Sequence, residues 1–305
     1  MKSEGLSYAA AGVDIAAYEK ALERVRPLIE STFGEHAGRF GLFAGTYELP
    51  GVGHLAASTD SVGTKVKVAI ALGRHRGIGT DLVNHCVNDI AVGRARPLFF
   101  LDYFATGKLD PAVFAELVEG MAGACREAGM PLLGGETAEL PGLYALGDYD
   151  LAGFIVGLTP PGAMPDLSLV RAGDVIVGLP SNGLHTNGFS LARKVFEGAE
   201  LPSELLATHR SYLPELTTLS WKSAAHITGG GIPGNLPRAL PPGLGYRLDR
   251  SAWRVPAIFS EIQERGRVTD EEMLRTFNLG IGMVLVVDRT AVPAGALVIG
   301  EVASD

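Results

Sequence analysis

The segment from His85 to Val92, HCVNDIAV, constrains the fold most. It is apolar enough for a buried helix running into Arg94, yet Asn84, Asn88 and Asp89 interrupt it. Asn84 and Asn88 are four residues apart and share one helical face. An unsatisfied buried polar group costs roughly 1–3 kcal/mol, and a buried charge costs more. Such a helix needs a metal ion or a ligand rich in donors. Otherwise Asp89 caps the helix or pairs with Arg94 or Arg96. Similar polar islands recur along the chain, which favours a site.

The 305 residues suffice for two ordinary domains or one large one. Forty glycines and 18 prolines outside any repeat indicate tight turns rather than disorder. A net charge of −8 excludes a basic nucleic-acid footprint. Backbone amides and a few cations can still hold phosphates on an acidic chain. Cys86 and Cys125 form no C-x-x-C pair and sit in apolar helical patterns, so they read as reduced core residues suited to the cytosol. The first residues lack the apolar run of a signal peptide, and no stretch is long enough to span a bilayer. The expectation is a cytoplasmic protein with neither a membrane nor a nucleic-acid partner.

Residues 1–53 read as an extended leader with one helix, capped by Asp14 and striped by Ile15, Tyr18, Leu22, Val25 and Ile29. Gly34 to Gly45 reads as a flexible loop. From His54 onward strands and helices alternate: strands at 54–59, 97–104, 131–133 and 149–158, helices at 65–72 and 78–92, and a third helix capped by Asp110 with Pro111 at its first position. Thr159-Pro160-Pro161 marks the best boundary. Beyond it, strands are expected near 175–179, 281–287 and 297–302, with helices at 188–196, 232–239 and 256–263. The fold class is α+β (mixed α/β), in two domains, 1–160 and 161–305.

Four segments carry candidate chemistry. In TDSVGTKVKVA, Thr59 to Ala69, a Gly-containing turn leads from Asp60 into a helix opened by Lys65, a place for an anion with a cation on it. It is not a Walker A sequence. In GGETAELPG, Gly134 to Gly142, Glu136 and Glu139 follow a strand end and suit a divalent cation. SNGLHTNGFS, Ser181 to Ser190, crowds donors around His185, Thr186 and Asn187. HITGGGIPGN places Gly229, Gly230 and Gly231 before a helix with Pro233 in its first turn. Each could equally be an ordinary turn. GVGHLA, at Gly51 to Ala56, precedes a strand rather than following one and is discounted as a dinucleotide motif. His36, His54, His75, His85 and His209 show no metal-ligand spacing.

Together SYAAAGVDI, TDSVGTK, GIGTDLVNHCVNDI, PLFFLDYFATGKL, GGETAELPG, YDLAGFIVG, SNGLHTNGFSL, HITGGGIPGNLPRALP and RTFNLGIGM resemble the phosphoribosylformylglycinamidine cyclo-ligase family, over nearly the whole chain and in the right order. The resemblance implies an ATP-binding first domain distinct from a P-loop, a C-terminal α/β substrate domain, and a homodimer whose N-terminal sheets close a barrel with the active sites nearby. It implies that ATP drives closure of formylglycinamidine ribonucleotide to aminoimidazole ribonucleotide, ADP and phosphate, through an iminophosphate, in purine synthesis. By the same resemblance Asp60, Asp89 and Glu136 hold Mg²⁺. Thr64 and Lys65 meet ATP, and Asp81 and Asn88 support that site. His185, Thr186, Asn187 and the Gly229–Gly231 loop take the ribonucleotide, and Lys65 and His185 are catalytic.

Two features depart from the family pattern. Ser61 stands where a glycine is expected and Thr186 where a serine is. The chain is also short between Phe196 and Tyr212 and after Asp288, where a helix before the last strand is missing. The competing readings are another ATP-using enzyme of the superfamily and a catalytically silent binding member. Keeping Asp60, Lys65, Asp89 and Glu136 together argues against the silent reading.

Overall fold

The computed structural model describes residues 5–304; the first four residues of the leader and Asp305 lie outside it. In chain order the elements are α1 (Ile15–Glu30), β1 (Gly45–Leu49), β2 (Gly53–Ser61), α2 (Lys65–Leu72), α3 (Arg76–Ala91), β3 (Arg96–Thr106), α4 (Pro111–Glu127), β4 (Leu132–Glu139) and β5 (Tyr149–Thr159). Then follow β6 (Val175–Pro180), α5 (Phe189–Val195), α6 (Leu213–Thr218), β7 (Ser223–His226), α7 (Gly231–Asn235), β8 (Leu244–Leu248), α8 (Ala257–Gly266), α9 (Asp270–Thr276), β9 (Ile281–Val287) and β10 (Val298–Ser304).

The strands form two five-stranded sheets, ordered β1-β2-β5-β3-β4 and β7-β9-β6-β10-β8. The first is antiparallel except for the β3–β4 pair. Its core joins Leu82, Cys86 and Ile90 of α3 and Leu117 and Met121 of α4 to Phe100, Phe104, Leu151 and Ile155 of the sheet. The two helices touch backbone to backbone. A Cβ on Gly79 would lie 2.0 Å from the Leu117 carbonyl oxygen, and one on Gly120 would lie 2.0 Å from that of Arg76.

In the second sheet β9 is buried at every position and β6 at all but its last, which is why VIVGL and IGMVLVV are unbroken apolar runs. Ile176, Val284, Val286 and Ile299 pack on Ile232 and Leu236. Val177, Met283 and Leu285 pack with Tyr212, Trp221 and, from the first half, Ala91 and Val92 at the end of α3. Thus α3 lies between the two sheets and carries its polar residues into the boundary.

Asp14 caps α1, accepting from the Ala17 amide at 2.9 Å, as its position before the helical pattern requires. The apolar stripe of α1 is not core, however: no residue of this helix is buried. Three strands escape the sequence pattern. β1 arises from the supposed glycine loop, and β7 and β8 are short and framed by neighbours. GGETAE is not a turn past a strand end but most of β4, paired with β3 from Leu101 to Thr106. Gly135 is required there, because a Cβ would lie 2.2 Å from the Asp102 carbonyl oxygen. Between β9 and β10 there is a short 3-10 turn, Arg289–Ala291, in keeping with the short stretch of chain after Asp288.

Candidate active site

The polar face of α3 meets the 207–212 segment of the second half. Asn84 Nδ2 donates to the His209 carbonyl at 2.7 Å, and Asn88 Nδ2 to that of Arg210 at 2.9 Å. Asn88 Oδ1 accepts from the Tyr212 amide at 2.8 Å, and Asp81 Oδ1 from the His209 amide at 2.6 Å. Asp81 and Asn88 are fully buried. The asparagines that mark the helix therefore clamp a loop, and the side chains of Asp81 and Asn88 are spent on it.

Lys65 departs further from its expected place at the phosphates. It is fully buried, with Nζ 2.7 Å from Asp81 Oδ2 and 2.8 Å from the Ala207 carbonyl. Burial pulls the Lys65 pKa down against the pull of Asp81, and pushes that of Asp81 up against Lys65. Lys65 is an internal strut between α2, α3 and the 207–212 loop, because its side chain leaves α2 on the inward face.

Beyond this strut the structure gathers histidines that sequence spacing missed. Asp60 Oδ2 lies 2.7 Å from His85 Nε2, and Asp89 Oδ2 lies 3.9 Å from the same nitrogen. His85 Nδ1 is 2.7 Å from Thr186 Oγ1, which is 3.3 Å from His209 Nδ1. His209 Nε2 is 3.1 Å from His226 Nε2, and His226 Nδ1 is 2.8 Å from Asp89 Oδ1. Ser58 Oγ donates to Asp89 Oδ2 at 3.2 Å. The chain reads in one direction, with protonated His85 donating to Thr186, Thr186 to His209, His209 to His226, and His226 to Asp89.

The electrostatics agree with that direction. Burial pulls His85 down, but Asp60, Asp89 and Asp81 outweigh it and raise its pKa to about 9. Burial pushes Asp60 up, but His85 and the Ser61 amide outweigh it and hold the carboxyl below its ordinary value. Burial holds His185 and His209 well below the usual histidine range, and neighbouring histidines add to this. His226 is also lowered by burial, with Asp89 opposing.

His185 itself touches no solvent. It is fully buried, its ring stacks on His209 at 4.0 Å, and neither ring nitrogen has a hydrogen-bond partner among the described residues. Its φ of 61° is a left-handed conformation costly for a non-glycine residue. His185, expected at the ribonucleotide, thus lies inside the protein, and Thr186 is likewise buried within the network.

Glu136 does not join Asp60 and Asp89 within one chain. Asp60 pairs with Gly153, Gly153 with Asp102 and Asp102 with Gly135. Glu136 thus lies three strand spacings away, roughly 14 Å, and alternation puts it on the opposite sheet face. Asp60 and Asp89 are the two carboxylates here that could take part in holding a hard cation, with water or ligand oxygens completing its shell. Each carboxylate oxygen keeps a lone pair beyond the bonds above, and Asp60 is partly open to solvent. His85, Asp89 and His226 also bring one donor atom each within 4.8 Å of one another.

Two connected hollows adjoin the site. A recess of about 190 Å³ between the halves reaches Asp89 and is walled by Phe43, Ile90, Met164 and Leu167. It shares Arg39, Leu42, Ala44, Thr46 and Arg238 with a groove of about 890 Å³. The groove runs between α1, the open face of the first sheet at Leu55, Ala57 and Val156, and the loop carrying Gly229 and Gly230. The apolar stripe of α1, with half-buried Ile15 and Leu22 and exposed Tyr18, faces this groove. Among the described residues, no helix is long and apolar enough to cross a membrane.

Residues 43–159 match the family described as AIR synthase related protein, N-terminal domain, and residues 171–302 match its C-terminal domain. A phosphoribosylformylglycinamidine cyclo-ligase of Sorangium cellulosum (strain So ce56) is 48% identical, covering 94% of this chain and 89% of that one. Another, of Methylobacillus flagellatus, is 46% identical over 96% of this chain and 91% of its own. Among solved structures the fold is similar to hydrogenase maturation protein HypE in complex with ATP, with a TM-score of 0.64 and 20% identity over 96% of this chain and 88% of that one. It is also similar to thiamine monophosphate kinase from Aquifex aeolicus, with a TM-score of 0.61 and 14% identity over 96% of both chains. With a buried polar core at the domain boundary and relatedness along almost its whole length, the chain belongs to the phosphoribosylformylglycinamidine cyclo-ligase family, ATP-using ligases of purine biosynthesis.

Proposed function

We propose that the chain closes the imidazole ring of aminoimidazole ribonucleotide. Formylglycinamidine ribonucleotide and ATP would be consumed, and ADP and phosphate released. An amide oxygen is a poor leaving group. Transfer of the γ-phosphoryl group to the formyl oxygen gives an iminophosphate. An amidine nitrogen then attacks the formyl carbon, and phosphate leaves with that oxygen. Little covalent chemistry falls to the protein, so positioning and electrostatics carry the rate.

The observation that carries the reading is the pairing of Asp60 and Asp89 around one imidazole nitrogen, beside a recess that opens into a large groove. The groove is of a size for ATP, and the Gly229–Gly230 loop, which the resemblance gave to the ribonucleotide, lines it instead, where its backbone can approach phosphates closely. Asp60 and Asp89, with Ser58 alongside, would hold Mg²⁺, which when bound neutralises triphosphate charge. His85 orients Asp60 through a 2.7 Å contact with its carboxylate. His226 fixes the Asp89 carboxylate through a 2.8 Å bond. Thr64, whose hydroxyl lies 3.2 Å from Ser190 Oγ, ends the same turn that Asp60 begins.

We also propose a homodimer closed through the open face of the first sheet. Tyr47, Leu101 and Phe154 are exposed there, opposite the face covered by α3 and α4. The reaction is tested by ADP release with and without formylglycinamidine ribonucleotide. Release that requires the ribonucleotide and matches an aminoimidazole product mole for mole supports the proposal. Release independent of it contradicts the proposal.

A further inference from the structure

Another hollow lined from both halves is separate from the groove and the recess. It is a cavity of about 580 Å³ where α2 and α5 meet, lined by Thr64, Lys67, Ser190, Arg193 and Lys194. Tyr8 and Val13 face the groove while Ala11 faces this cavity, so the leader lies between the two.

Its charge is unlike that of the molecule around it. The chain carries −8 overall, yet three cations and one acid, Glu197, line this space. Two of the cations are already matched: Lys67 is 2.5 Å from Asp148, and Lys194 pairs with Glu197. Arg193 is not. It is half-buried and has no ion pair or hydrogen bond among the described residues. A partly desolvated guanidinium without an acceptor is costly, and its planar donors match phosphate oxygens two at a time.

The hydroxyls across from it complete the donor set. Thr64 Oγ1 and Ser190 Oγ lie 3.2 Å apart, one from each half. Their mutual bond uses one proton and leaves the other hydroxyl free to donate. The cavity can therefore offer an oxygen-rich anion a guanidinium fork and one free hydroxyl donor, with two ammonium groups, each already paired to an acid, at its flanks. An aliphatic or cationic occupant would leave Arg193 unmatched.

We propose that this cavity binds a phosphomonoester dianion, and that in the reaction inferred above the occupant is the 5′-phosphate of the ribonucleotide. The assignment to substrate rests on that reaction; the assignment to phosphate does not. It also removes the need for His185 and Thr186, which are buried, to touch the ribonucleotide. Thr64 is four residues from Asp60, no more than about 14 Å along the chain. A ribonucleotide anchored at Thr64 therefore has its reacting end near the carboxylates.

The test uses the intact chain and its Arg193→Gln, Arg193→Lys and Ser190→Ala variants, each checked for an unchanged urea midpoint. Inorganic phosphate and ribose 5-phosphate are titrated by calorimetry, and both substrates are varied in steady-state kinetics. Arg193→Gln is expected to weaken phosphate binding at least about 10-fold, as loss of a charged hydrogen bond implies. The ribonucleotide KM should rise by a similar factor, with the ATP KM within about twofold. Arg193→Lys should recover part of the loss, because it keeps the charge but not the fork. Wild-type protein that binds no phosphate, or an Arg193→Gln variant that binds it unchanged, overturns the proposal. Weakened phosphate binding with an unchanged ribonucleotide KM overturns the substrate assignment and leaves a free-phosphate site. If the chain does not turn over formylglycinamidine ribonucleotide but still binds phosphate through Arg193, the reaction is refuted and the anion site stands.

Discussion

Lys65→Ala separates a structural lysine from a catalytic one. Wild-type Nζ sits 2.7 Å from Asp81 Oδ2 and 2.8 Å from the Ala207 carbonyl, with neither Lys65 nor Asp81 exposed. Truncation leaves a buried carboxylate with only the His209 amide, and a carbonyl without its donor. Breaking such a pair costs about 3–5 kcal/mol, a large share of the roughly 5–15 kcal/mol that holds a domain together. Burial already pushes the Asp81 pKa up, and loss of Lys65 pushes it further. A carboxyl whose folded pKa exceeds its unfolded value loses stability as pH rises above the unfolded value of about 3.9. The deficit against wild type should therefore narrow as pH falls toward 4. Urea unfolding at several pH values reads this directly. Lys65→Met with Asp81→Asn should recover at least half of the loss, because the buried charge is gone and the Asn oxygen still accepts from His209. A Lys65→Ala protein that unfolds within about 1 kcal/mol of wild type but has lost ATP turnover would refute the strut and restore the lysine to the phosphates.

Asp89→Asn keeps an oxygen for His226 and an amide for Ser58, so the fold should survive; the Mg²⁺ needed for half-maximal turnover should rise at least about 10-fold, and an unchanged Mg²⁺ titration would make Asp89 purely structural. Asn88→Ala should destabilise by about 1–3 kcal/mol, because the Tyr212 amide loses its acceptor inside the protein; a urea midpoint equal to wild type would contradict this. His185, His209 and His226 have lowered pKa values, so each withdraws stability as pH falls below about 6.5. His85 is raised to about 9, so its contribution is full below about 6.5 and is lost as pH climbs to about 9. Stability should peak within about one unit of pH 6.5, and a monotonic rise to pH 9 in urea midpoints would contradict these assignments. Phe154→Glu on the open sheet face should halve the mass seen by light scattering at micromolar concentration, whereas a wild-type monomer with full activity would reject the dimer.

Local chemistry was legible where it is local. Asp14 and Asp110 announce their helices by cap geometry, and the unbroken apolar runs of β6 and β9 announce strands buried on both faces. Lys65 was legible in part. It lies three, four and seven residues before Val68, Ala69 and Leu72, the inward stripe of α2, whereas Lys67 does not share that face. Spacing alone therefore pointed Lys65 inward, and the Gly-containing turn before it suggested the opposite. The histidine network could not be read from spacing. His85, His209 and His226 come from α3, an irregular loop and β7, and only the packing of α3 between the sheets brings them together. Glu136 misled because two glycines resemble a turn, while here they let β4 lie against β3.

The central claim is that ATP activates the formyl oxygen for ring closure. Substrate labelled with ¹⁸O at that position tests it most directly. The expected result is one labelled inorganic phosphate for each ADP and each aminoimidazole ribonucleotide formed. ADP release accompanied by unlabelled phosphate, or label retained in the organic product, would contradict it.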